Sequence, residues 1–405
     1  MEESLDIANV QDHGLPVVEP SDKCEVQPSS PTSKQDKDTG ATVADDCNGG
    51  RGGEGFSSSL PACGVRLTPE AEAMAQSMRR SVPLRRPECE VSVVCFNMLL
   101  KGFDEKWYYP SIGPELRAWS YRKPQLRELL FGMDADIYCM QEVEVASFAE
   151  EFAFLAEGGY AAVEPRDDSK GKKRPEMAKS AIFFKSSRFE LVWSENRSRA
   201  VLAALKHVPT DELIYVVSCH LEGAKPEAAA RVSQVKSALE RLRLDQLRRN
   251  LDPKECPLIF AGDFNCEEDS AVCHLLSSGA LSKDFRDPWA PDKELLKADF
   301  SHEWALRDLY GEVCGSLLKQ RPVTFCSPND AGGAPLAACV DFVFYSHLSL
   351  RPTAVRLPLD EAQEEAARAR AIPADWHISD HVPLGGVFAI RKAEEKTDAS
   401  SIELV

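Results

Sequence analysis

Seven short apolar runs rich in Val, Ile, Phe and Tyr punctuate the chain. They lie at 91–97 (VSVVCFN), 136–142 (DIYCMQE), 180–184 (SAIFF), 214–221 (IYVVSCHL), 257–263 (PLIFAGD), 341–346 (DFVFYS) and 384–390. Their shortness and polar boundaries mark buried strands rather than helices. Between them the pattern turns helical. Residues 227–249 set Val232, Val235, Leu239, Leu242 and Leu247 on one stripe with charge elsewhere, and 123–132 and 145–156 read similarly. Such alternation buries sheet beneath helices, which predicts an α/β (α+β) domain. The stretch 280–320 reads as a mostly helical insertion, and 359–370 as a solvated helix or loop.

Hydrophobic residues make up 43% of the 405, enough for a large core. They are scarce from residue 1 to about 60, where Asp, Glu, Ser, Pro, Gly and Thr dominate. Such a segment buries too little apolar surface to offset its ordering entropy. The expected organisation is therefore a disordered acidic segment over 1–88, a catalytic domain over 89–392 and a flexible tail over 393–405. A short helix is expected within 69–80 (PEAEAMAQSMRR), and protein partners are expected to use the N-terminal segment.

The net charge is −17, and residues 1–90 carry 16 acidic against 9 basic side chains. An acidic surface binds polyphosphate backbones poorly, so action on RNA or DNA needs a local basic surface, metal ions or a partner. Thirteen cysteines are scattered singly with no C-x-x-C spacing, which fits reduced thiols rather than a zinc or disulfide scaffold. No apolar run approaches the ~18 residues of a membrane span, so no membrane is expected among the partners. The N-terminus is acidic, unlike a leader peptide, which points to the cytoplasm or nucleus.

The chemistry gathers where the strands end. Asn97, Glu142, His220, Asp263 with Asn265, and Asp341 all sit at run boundaries. An Asp or Asn after one strand is an ordinary turn former. Five such boundaries predict one polar cluster at one rim of a sheet. Carboxylates and amides suit Mg²⁺, a hard cation bound through one or two carboxylates plus water and phosphate. Glu142 is the leading ligand. Gly262-Asp263-Phe264-Asn265 is the sharpest motif: in an extended segment Asp263 and Asn265 project together while Phe264 turns inward. Asp380-His381 precedes a final apolar run, and His381 has the ordinary pKa for proton handling. Its partner must come from elsewhere in the chain, and Asp341 is available. His377 and His381 are four apart, but Pro383 and the intervening residues argue against a helical zinc pair. The basic cluster Lys170, Lys172, Lys173 and Arg174 reads as a solvated loop, with a phosphate-tracking loop as the alternative.

CysPheAsnMet (95–98), GlnGluValGlu (141–144), CysHisLeu (219–221), GlyAspPheAsn (262–265), ValAspPheValPheTyrSer (340–346) and SerAspHisValProLeu (379–384) occur in an order that resembles the endonuclease/exonuclease/phosphatase superfamily. The resemblance covers about residues 90–391. The stretch WSYRKPQLRELLFGMDADIYCMQEVE (119–144) is similar to the branch of carbon catabolite repressor deadenylases, nocturnin and the Angel proteins. The resemblance implies a four-layer sandwich of two packed mixed β-sheets flanked by helices.

By the same analogy Glu142 binds Mg²⁺, with Mn²⁺ substituting, and Asp380 contributes to the metal or its water. Asn97, Asp263 and Asn265 position nucleophile and phosphate, His220 contacts the scissile phosphate, and Asp341 holds His381. The implied activity is a 3′-exoribonuclease acting on poly(A) RNA. The alternative is a nocturnin-like phosphatase acting on a small phosphorylated dinucleotide. Asn196 matches a branch asparagine loosely. Lys179-Ser180 and HisLeuGluGlyAlaLysPro (220–226) depart from the branch pattern.

Overall fold

A computed structural model describes residues 67–80, 87–104, 109–166, 178–329, 331–391 and 402–405. The remainder of the expected disordered segment and the Lys170–Arg174 cluster lie outside the described residues. The strands run β1 (Glu90–Asn97), β2 (Ile137–Glu144), β3 (Tyr160–Val163), β4 (Ala178–Lys185), β5 (Phe189–Asn196), β6 (Ala200–His207), β7 (Glu212–His220) and β8 (Leu258–Asp263). They continue with the short pieces β9 (Ala280–Leu281), β10 (Phe300–Ser301), β11 (Leu306–Asp308), β12 (Phe325–Ser327) and β13 (Leu336–Ala338), then β14 (Asp341–Ser346), β15 (Leu350–Val355), β16 (Leu384–Ile390) and β17 (Glu403–Leu404). The helices are α1 (Pro69–Met78), α2 (Pro114–Arg117), α3 (Trp119–Met133), α4 (Phe148–Glu151), α5 (Ala153–Glu157), α6 (Ala228–Arg248), α7 (Ala271–Ser278), α8 (Leu309–Val313) and α9 (Glu361–Arg370).

Two mixed sheets form, ordered β17-β15-β16-β1-β2-β4-β3 and β11-β14-β8-β7-β6-β5. The β1–β2 and β7–β8 pairs are parallel. Strands buried on both faces read as unbroken apolar runs, and β1 shows why. Val91, Val93 and Cys95 enter the core between the sheets with Ile137, Ile182, Val216, Ile259 and Val343. Val94 and Phe96 face outward and pack beneath α1 and α3. On the other side α6 and α7 cover the second sheet through Val232, Val235, Leu239, Leu242 and Leu275. Helix, sheet, sheet, helix is the expected four-layer order.

Several local expectations are corrected. Leu247 is 50% exposed. The buried face of α6 continues instead through Asp245, which accepts from the Tyr215 hydroxyl, and Gln246. The 280–320 insertion is mostly irregular, with two-residue strands β9 and β10 and the single turn α8. Residues 145–156 break into α4 and α5.

The folded unit also begins before residue 89. Ala71, Ala75 and Met78 of α1 are buried, and the Met78 carbonyl accepts from buried Arg356 at 2.8 Å. The Met74 carbonyl accepts from Gln363 at 2.9 Å. At the other end, residues 403–404 of the expected tail pair with β15 as an added edge strand.

Candidate active site

Register places the site. Asp263, at the end of β8, sits directly opposite Asp341 at the start of antiparallel β14, and beside His220 at the end of parallel β7. The polar row therefore crosses three adjacent strands at one rim. Asp341 opens its strand rather than closing one, and antiparallel pairing brings it to the same edge. In the first sheet Asn97 lies beside Gln141, so Glu142 reaches the corresponding rim. Cys95 pairs with Leu384, which delivers Asp380 and His381 from the segment before β16. Gly262 is required by close approach: a Cβ there would lie 2.0 Å from the Cys219 carbonyl oxygen.

Glu142 stands at an irregularity in β2, where pairing to β4 shifts between Met140 and Val143, with φ +61°. A left-handed non-glycine residue costs roughly 1–3 kcal/mol and persists only when its surroundings over-determine it. The Asn97 amide donates to Glu142 Oε1 at 3.1 Å, and the Leu100 backbone N–H donates to Oε2 at 2.8 Å. The bulge turns the carboxylate into the site and these bonds keep it there.

Asp263 is the hub. Its Oδ2 accepts from Asn97 at 3.1 Å and lies 3.6 Å from Nε2 of both His220 and His381. Its Oδ1 accepts from the Asn265 backbone N–H at 2.9 Å. Phe264 is fully buried, as expected. Asn265 is not extended, however. Its φ is +51°, and its side-chain amide donates to the Leu221 carbonyl at 3.0 Å.

His381 Nδ1 lies 2.8 Å from Asp341 Oδ2. Burial alone would lower the His381 pKa, but Asp341, Asp263 and Asp380 together hold it well above its ordinary value. Burial pushes Asp341 up to about 6, against the pull of His381. At neutral pH the pair is therefore imidazolium and carboxylate. Burial also raises Asp380, opposed by His381 and reinforced by the charge of Glu142. The Tyr109 hydroxyl donates to Asp380 Oδ2 at 2.9 Å.

Asp263, Asp341 and His381 offer ligand atoms within 4.8 Å of one another, with His381 Nδ1 already committed to Asp341 Oδ2 at 2.8 Å. The charge of Glu142 acts on Asp380 as a like charge, and two carboxylates are ligands that a hard divalent ion takes.

Sequence reasoning missed the supporting residues. Buried His377 has its Nε2 2.6 Å from the His381 carbonyl oxygen; burial takes its pKa down to about 4, leaving it neutral. The Ser379 hydroxyl donates to the Asn97 carbonyl at 2.7 Å and accepts from the His381 N–H. Thr324 Oγ1 accepts from the Asp341 N–H at 3.1 Å, and the Phe325 ring lies 5.0 Å from that of His381. His377 carried a signal in its spacing to His381, and Ser379 in the SerAspHis run; Thr324 and Phe325 carried none. Among the described residues, the Asn196 side chain accepts from the Arg166 N–H and donates to the Glu164 carbonyl.

The profile of the Endonuclease/Exonuclease/phosphatase family matches residues 95–381, more than half the chain. The chain belongs to that family. Among its relatives is the CCR4-Not complex 3′-5′-exoribonuclease subunit Ccr4 of Kluyveromyces lactis, 28% identical over 320 residues, covering 70% of this chain and 39% of the relative. Mouse 2′,5′-phosphodiesterase 12 is 24% identical over 340 residues, covering 73% and 51%. The chain thus spans about half or less of the length of these relatives.

Of solved structures, ANGEL2, a 2′,3′-cyclic phosphatase, superposes with a TM-score of 0.60 at 20% identity, covering 74% of this chain and 95% of that one. The human Nocturnin catalytic domain gives 0.52 at 20% identity, covering 78% and 99%. These superpositions show the same fold.

Proposed function

We propose that this chain is a Mg²⁺-dependent phosphodiesterase that removes nucleotides from the 3′ end of RNA, of the poly(A)-shortening type. The observation that carries the reading is the placement of Asp263 between two histidines and Asn97, with the carboxylates Glu142 and Asp380 alongside. The Ccr4 relatives, which are 3′-5′-exoribonuclease subunits, supply the substrate class.

Glu142 and Asp380 would hold Mg²⁺, with Mn²⁺ substituting. Bound there, the ion supplies charge neutralisation at the phosphate. Asp263 accepts the proton of the attacking water, and Asn97 fixes the orientation of its carboxylate. His220, 19% exposed on its side chain against 2% for Asp263, reaches toward solvent to meet the scissile phosphate. The second hydrogen of the Asn265 amide, beside the one given to the Leu221 carbonyl, serves the same end. The imidazolium of His381, held by Asp341, is aimed at the negative charge that develops on the phosphoryl oxygens. Water adds to phosphorus as its proton passes to Asp263, the ester P–O bond breaks, and the leaving oxygen takes up a proton from solvent.

A second reading, a phosphatase acting on a small phosphorylated dinucleotide, is favoured by the net charge of −17. The purified protein with Mg²⁺ is to be incubated in parallel with poly(A), mixed RNA, single-stranded DNA and phosphorylated dinucleotides. Shortening of poly(A) from its 3′ end is expected. Release of inorganic phosphate from the dinucleotide alone supports the second reading and overturns the first.

A further inference from the structure

Arg122, on α3, is fully buried. Its guanidinium lies 5.2 Å from the Trp119 ring centroid and donates to backbone carbonyls. Nε reaches Arg117 at 3.0 Å. Nη1 reaches Met98 at 3.2 Å and Leu99 at 2.8 Å, and Nη2 reaches Leu100 at 2.7 Å. The far ends of two of those peptide units matter. The unit whose carbonyl is Leu99 has the Leu100 N–H, which donates to Glu142 Oε2 at 2.8 Å. The unit whose carbonyl is Met98 has the Leu99 N–H, which donates to Asn97 Oδ1 at 3.1 Å. Once that oxygen is engaged, the Asn97 NH₂ is left to donate to Glu142 Oε1 and Asp263 Oδ2. Leu99 itself has φ +61°, a conformation a leucine keeps only when held.

We infer that Arg122 is a positioning residue for Glu142 and Asn97, acting through the two peptide planes at 98–100. A charged donor on each carbonyl polarises the N–H at the other end of the same peptide. Both of those N–H groups end on oxygens of the site. The guanidinium acts through these backbone carbonyls. Its charge is delivered to the site as two aligned amides, and Arg is suited to this because its fork reaches several carbonyls at once. This inference rests on the proposed role of Glu142 as a metal ligand.

Mn²⁺ binding without substrate, titrated by the electron-spin resonance of the free ion, separates positioning from packing. Glu142→Gln is expected to weaken binding at least 100-fold. Arg122→Lys and Arg122→Gln are expected to weaken it roughly 10–100-fold, the usual effect of losing a group that orients a ligand. Leu126→Ala, a fully buried neighbour on α3, should lower the melting temperature and leave Mn²⁺ affinity within about twofold.

Wild-type affinity in Arg122→Lys, with affinity lost in Glu142→Gln, overturns the inference. Wild-type affinity in Glu142→Gln overturns the metal-site reading instead. Amide hydrogen exchange of the wild-type protein tests the clamp even where an Arg122 variant fails to fold. Leu99 and Leu100 are expected to exchange only as slowly as the central strands, and fast local exchange there overturns the inference.

Discussion

Replacing Asp341 by Asn keeps the size of the side chain and removes its charge. The carboxylate oxygen lies 2.8 Å from His381 Nδ1, and both side chains are almost completely buried. At an effective dielectric of ~20, two unit charges at that separation attract by about 6 kcal/mol, equivalent to roughly four decades in rate. This is an upper limit, because Asp263, 3.6 Å away, and Asp380 still face the ring. The expected loss in kcat is on the order of 10²–10⁴. The asparagine amide can also present an N–H to Nδ1 and fix the wrong tautomer, which works in the same direction.

The pH profile has a definite sign. In the wild type His381 is held well above its ordinary pKa, so the imidazolium, and activity that needs it, survives past neutrality and is lost on the alkaline side. In Asp341→Asn burial still lowers the pKa while the chief opposing charge is gone, so the alkaline limb moves to lower pH. If the two residues act as a unit, Asp341→Asn combined with His381→Ala is little worse than His381→Ala alone. The assay is kcat against pH at saturating Mg²⁺ for both singles and the double. An unmoved alkaline limb together with multiplying effects refutes the pairing.

Other outcomes follow from the packing. Burial would raise the Glu151 pKa, but Lys101, Lys123 and Trp119 lower it to about 2. A depressed carboxylate contributes stability that is present above about pH 4.5 and lost as pH falls toward 2. The two lysines are each 34% exposed, so screening leaves about 1–2 kcal/mol. Glu151→Gln should show that deficit at pH 7 and converge with the wild type near pH 2–3 in denaturant titrations. A chain beginning at residue 81 should be about 3–5 kcal/mol less stable than one beginning at residue 67, since it loses α1 and leaves the Arg356 guanidinium short of a partner. Equal melting temperatures would contradict the docking of α1. Gly262→Ala must push β8 off the Cys219 carbonyl. A loss of about 2–3 kcal/mol is expected, with a fall in kcat as the spacing of His220 and Asp263 changes; an unchanged melting temperature contradicts it.

The sequence makes the strands legible because both faces of the central ones are buried, so β1, β7 and β8 read as unbroken apolar runs. It makes the site legible because polar residues at strand boundaries collect at one rim once the register is set. The insertion at 280–320 reads as helical, yet its apolar residues, such as Leu281, Leu295 and Trp304, anchor irregular chain into the core individually. Composition places helix α1 outside the domain, whereas its burial depends on a carbonyl meeting Arg356, almost 280 residues away. The left-handed turn at Glu142 and the Arg122 clamp are likewise long-range hydrogen-bonding facts, and no local pattern announces them.

The most direct test of the central claim is product analysis with a 5′-labelled oligoadenylate, comparing wild type with Glu142→Gln, each in Mg²⁺ and in EDTA. A ladder of 3′-shortened oligomers is expected from the wild type in Mg²⁺ only. Glu142→Gln, folded to the same melting temperature within a few degrees, should leave the substrate intact. Shortening by the wild type in EDTA, or by Glu142→Gln at the wild-type rate, would contradict it.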